Sequence, residues 1–140
     1  MSRFFDRFQP WALFALRLVL GCAMISASWT KIVPHGGFHG HNTFVALEKW
    51  SRYVVTLGMP AWLGTLSGLI EFFGGFAILF GFLTRIFGAL LTVTLLVAIW
   101  KVTWPDYGAS KYPLTIGTLS LIAMAFGSGA LSLDRRMGIE

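Results

Sequence analysis

Two charged side chains stand inside long apolar runs of this 140-residue chain, Arg17 in the first run and Glu71 in the second. An ionised carboxylate in hydrocarbon is costly, so Glu71 must be neutral, paired or turned to a wet cavity. Spacing shows what each charge faces. Arg17, Gly21, Met24, Ser28 and Lys31 recur every four and three residues, which places them on one helix face. Gly64, Gly68, Glu71 and Gly75 do the same, with Gly74 beside them. Stripes of small residues let helix backbones approach closely, so both charges are expected to face protein rather than lipid. Counted from Trp11 and Trp62, they differ in depth by ~6–10 Å at the helical rise, a gap that an arginine side chain covers in large part. Two chemistries follow. An Arg17–Glu71 ion pair would fix the helix register. A polar pocket for a proton, a quinone or a small ligand would use the same groups, with Ser28 and Lys31 as further candidates.

His35, His39 and His41 fall in a single short stretch, Pro34-His-Gly-Gly-Phe-His-Gly-His41. Three imidazoles are candidate Zn or Cu ligands, but the stretch is glycine-rich and has no fourth ligand at fixed spacing. It is expected to be a solvated loop without a metal. Cys22 is the sole cysteine, which excludes an intramolecular disulfide and a CxxC centre, and it reads as a small buried hydrophobe. Histidines are absent from the apolar runs, and dinucleotide or nucleotide motifs are absent altogether. Catalytic residues and a bound cofactor are therefore not expected. Any redox role needs a partner subunit or a bound quinone.

The elements that carry these residues are membrane helices. The chain is 56% hydrophobic and 12% charged, about half the charge of a typical soluble domain. Its net charge of +5 sits mostly at the ends of apolar runs, where headgroups rather than nucleic acid are met. Spans are expected at about 10–33, 62–82, 85–104 and 113–131, with an outer loop at 34–61, in one domain covering 1–140. Val19-Leu20-Gly21-Cys22 resembles a cleavage site, but Arg17 interrupts the apolar region of a signal peptide, so the first span is expected to be retained. Pro10 suits a first helical turn, and Gly81 suits the helix end before a tight turn into the third span. The basic residues divide evenly between the two sides. Cytoplasmic termini are preferred because their charges lie close against the membrane. Trp29, Trp50, Trp62, Trp100 and Trp104 gather at the outer interface. Phe44, Leu47, Trp50, Val54 and Leu57 mark a short amphipathic interfacial helix in the outer loop.

The motifs resemble the DoxX family of small four-helix membrane proteins from Leu16 to Asp134. The resemblance rests on Leu16-Arg-Leu-Val-Leu-Gly21, Glu71-Phe-Phe-Gly-Gly75, Gly81-Phe-Leu-Thr-Arg85, Val97-Ala-Ile99, Tyr112-Pro-Leu114, Gly127-Ser-Gly129 and Ser132-Leu-Asp134. Two departures stand out. Ala27-Ser-Trp-Thr-Lys31 replaces a His-Gly-x-x-Lys ending, and Lys111 occupies a frequently acidic position before Tyr-Pro. The resemblance implies an all-α bundle in a bacterial or archaeal inner membrane. It also implies an accessory subunit of a redox-linked, quinone-contacting assembly, partnered by lipid and by other membrane or redox subunits or further copies of itself. An oligomeric small-molecule carrier and a scaffold or cargo-binding protein are the alternatives.

Overall fold

The computed structural model describes residues 2–34 and 44–138, so His35, His39 and His41 lie outside the described residues. Every element described is helical: α1 (Ser2–Ile32), α2 (Val45–Thr56), α3 (Ala61–Phe80), α4 (Thr84–Ala98), α5 (Tyr107–Phe126) and α6 (Leu133–Met137). A π-helical stretch, Ile99–Thr103, prolongs α4. The segments Arg3–Ile32, Ala61–Phe80 and Thr84–Thr103 are long and apolar enough to cross a membrane.

Glycines set how the helices meet. α1 packs against α3, α4 against α5, and α3 against α4. A Cβ on Gly21 would stand 2.8 Å from Leu79 Cβ and 2.9 Å from the Gly75 carbonyl oxygen, and one on Gly75 would stand 2.9 Å from Ile25 Cγ1. The α1–α3 seam therefore closes at backbone distance. Gly88 does the same for α4 and α5, its Cβ position lying 2.9 Å from Met124 N and 3.0 Å from Ser120 O. This register sets α5 beside α4 and its π-helical extension. Leu20, Met24, Ile78, Leu91, Leu95, Ile116 and Ala123 fill the space between the four long helices.

Three boundaries differ from the sequence expectation. α1 begins eight residues before Pro10, which lies inside the helix. The bond lost at the Asp6 carbonyl falls in a segment whose residues are exposed, so the carbonyl is open to headgroups or water. α5 starts at Tyr107 rather than Pro113 because the Asp106 side chain caps it, accepting from Gly108 N at 2.8 Å. It ends at Phe126 rather than Leu131 because Gly127 turns the chain with φ +73°. The α3–α4 turn agrees with expectation: Gly81 is left-handed, and Phe82 N donates to Ala77 O at 2.7 Å, which closes α3.

The amphipathic helix α2 is present, and its buried face (Ala46, Ser51, Val54) lies on the N-terminal half of α3. A Cβ on Gly64 would stand 2.8 Å from Ser51 Cα, and one on Gly68 3.1 Å from Leu47 Cδ1. The glycine stripe of α3 thus serves two partners, α2 through Gly64 and Gly68 and α1 through Gly75. Gly74, one residue aside, faces α4 through Phe87 and Leu91. Cys22 lies exposed on the outward face of α1 instead of buried, since the helix turns Gly21 and Leu20 inward beside it.

Candidate functional site

Glu71 is buried midway along α3, and its partner is Lys31: Nζ to Oε2 is 2.6 Å. The two side chains retain 6% and 18% of their exposure, so the cation is the one that still reaches solvent. Trp50 of α2 covers the pair. Lys31 Nζ sits 4.0 Å from its ring centroid, a cation–π contact, and its indole Nε1 donates to Ser67 Oγ at 3.2 Å. These contacts are local consequences of the fold. α1 ends at Ile32, opposite the middle of α3, so its terminal lysine meets Glu71 where α2 takes over as the neighbour of α3.

This pair stands on the wall of a cavity of about 310 Å³ between α3 and α4, roofed by α2. Leu66, Ile70, Leu90, Val93 and Val97 are among the residues of its lining, which is almost wholly apolar. Leu66 (44% exposed) and Val93 (61%) are open on the outer surface of the bundle, so the cavity communicates with the lipid side. A compartment of this kind suits a lipid-soluble molecule with a polar head. The apolar body is held by dispersion and burial, and the ammonium of Lys31 and the carboxylate of Glu71 supply one donor and one acceptor.

The two buried charges of the sequence reading do not meet. Contacts of Gly21 with Gly75 and Leu79 set Arg17 level with Gly81, ten residues and ~15 Å of helical rise from Glu71. The depth count from Trp11 and Trp62 failed because α1 runs well past the end of α3 at the hairpin. Arg17 is 2% exposed and donates to the Leu131 carbonyl oxygen. Its guanidinium rests against Gly81, where any Cβ would collide with it, and it is electrostatically attracted to Asp134. Ser28 is fully buried, but its hydroxyl donates to Met24 O at 2.7 Å within its own helix, so it does not reach Glu71.

Two functional groups escaped the sequence reading. Its spacing groups Trp50 with the interfacial tryptophans, yet it is half-buried over Lys31. Asp134 was noted only as part of a motif, yet its carboxylate accepts from Leu83 N at 2.6 Å and Thr84 N at 3.0 Å, and its own amide donates to Gly81 O at 2.9 Å. It clasps α6 to the α3–α4 hairpin and caps α4. An acidic residue placed just beyond the last span, at the end of the molecule that carries the hairpin, was the available signal.

The family model described as DoxX matches residues 12–104. A Bacillus subtilis (strain 168) protein named "Putative oxidoreductase CatD" is 31% identical over 98 residues, 69% of this chain and 73% of that protein. An Escherichia coli (strain K12) protein named "Inner membrane protein YqjF" is 34% identical over 125 residues, 85% of this chain and 86% of that one. No solved structure matches significantly.

Proposed function

The chain belongs to the DoxX family of membrane proteins, and on that premise we propose that it is an accessory subunit of a redox-linked assembly in the bacterial inner membrane. In this reading it anchors partner subunits and holds a quinone-class molecule in the cavity between α3 and α4. The observation that carries the reading is an apolar, lipid-facing cavity of about 310 Å³ ending on a buried ion pair. A quinone has an apolar tail and ring carbonyls that accept hydrogen bonds. Lys31 is placed to donate to such a carbonyl, and Glu71 is placed to hold Lys31 charged and oriented. The relative named as an oxidoreductase supports the redox setting. The chain supplies binding and orientation in this scheme, and electrons come from a partner subunit.

Fluorescence titration of the purified protein with a short-chain quinone tests the reading. Trp50 lies on the cavity wall, so saturable quenching is expected, and it should diminish in Trp50→Phe. Quenching that rises linearly without saturation, or is unchanged in Trp50→Phe, contradicts the proposal.

A further inference from the structure

A second cavity, of about 210 Å³, opens at the hairpin end between the start of α4 and the end of α5. Thr84, Arg85, Ile86, Gly127 and Asp134 line it. The first amides of a helix have no carbonyl partner within it. Here the Asp134 carboxylate takes those of Leu83 and Thr84, and Phe87 N reaches Leu83 O at 3.0 Å. Among the described residues the amides of Arg85 and Ile86 have no partner, and they lie at the positive end of the α4 dipole.

Two side chains add to this donor set. Arg85 lies over Gly127, with Nε 3.0 Å from the position a Cβ would take, and it forms no ion pair among the described residues. Thr84 is fully buried on the cavity wall, and its Oγ1 has no hydrogen-bond partner among the described residues. A buried hydroxyl without a partner is unfavourable unless something completes it. Asp134 is the one anion in the lining. Both of its oxygens are engaged by amides, and Arg17 attracts it. Helix amides, a guanidinium and a free hydroxyl together are the donors that recognise a phosphate-type oxyanion.

We propose that this cavity binds such an oxyanion, presented by a phospholipid headgroup or as free phosphate. The site is separate from the cavity under α2, and its fate does not depend on the quinone reading. The test uses the full chain purified in neutral detergent, with thermal stability and native mass spectrometry as readouts. Phosphatidylglycerol, inorganic phosphate and phosphate-free diacylglycerol are titrated in parallel. Saturable stabilisation by phosphatidylglycerol alone assigns the site to a headgroup, and stabilisation by inorganic phosphate assigns it to the free ion. In either case Arg85→Gln and Thr84→Val should each weaken the apparent affinity by about tenfold, the value of one charge-assisted or buried hydrogen bond. Without ligand, Thr84→Val should be at least as stable as the parent, because it removes an unpartnered hydroxyl at nearly constant shape, so a loss of binding is not a loss of fold. The proposal is overturned if neither phosphate source stabilises the protein. Equal stabilisation by diacylglycerol, or unchanged titrations in both variants, overturns it as well.

Discussion

Two buried carboxylates, one at the hairpin end and one midway along α3, are held in opposite ways. At the hairpin end, Asp134 accepts from two backbone amides and donates its own amide to a third residue, so no side-chain rotation can replace its partners. Under α2, Glu71 is paired with one flexible lysine on the wall of a cavity. Both are 5% exposed, so burial alone does not tell them apart. The identity of the partner does. A carboxylate bonded to backbone fixes a turn, whereas one bonded to a lysine side chain on an apolar cavity wall holds that cation where the cavity ends.

The largest effect is expected from Asp134→Ala. It strands the Leu83 and Thr84 amides at a turn where Leu83 already holds a left-handed φ of 47°, and it should cost about 3–5 kcal/mol, comparable to breaking a buried charged pair. Thermal or denaturant unfolding in detergent measures it. Adding Arg17→Met should recover little, because the amides remain unmet. Recovery of most of the loss would mean that the hairpin end is an ion pair after all, and the contrast between the two carboxylates would collapse.

Glu71→Ala should cost less, about 2–3 kcal/mol, since Lys31 keeps a route to solvent along its stem. Here the double change Lys31→Met with Glu71→Leu should recover most of the loss, because replacing both charges by apolar groups of similar volume is often neutral. Full additivity of the two single changes would show that they do not pair.

A smaller pair of substitutions sharpens the comparison at the helix seams. Gly21→Ala forces a Cβ to 2.8 Å from Leu79 Cβ and should cost about 1–3 kcal/mol. Gly117→Ala on α5 meets only Leu95 Cβ, at 3.7 Å, and should stabilise by roughly 0.5 kcal/mol as a better helix former. Unfolding midpoints of the two variants decide this, and destabilisation at Gly117 would show a tighter α4–α5 seam than described.

Much of the fold was legible because bilayer thickness imposes long apolar runs, and because glycine at Gly81 and the spacing of Gly21, Gly64, Gly68 and Gly75 encode close approach. The candidate site was legible in part. The sequence pattern marks both Glu71 and Lys31, but it points to Arg17 as the partner of Glu71. Depth counted from tryptophans assumes that helices share their ends, and α1 neither starts nor stops level with α3. That offset is set by where Gly21 meets Gly75 and Leu79, a three-dimensional register that spacing along one helix does not contain. The start of α5 differs for a related reason: Pro113 is a permissible helix start, and the Asp106 cap about two turns earlier outcompetes it.

The central claim is that the Lys31–Glu71 pair serves a ligand rather than only the bundle. The Lys31→Met, Glu71→Leu variant separates these most directly when stability and saturable quinone quenching are measured on the same preparation. The account predicts stability close to the parent protein, with quinone affinity weakened by about tenfold or more. Parent-like quinone affinity in that stable double variant would contradict it.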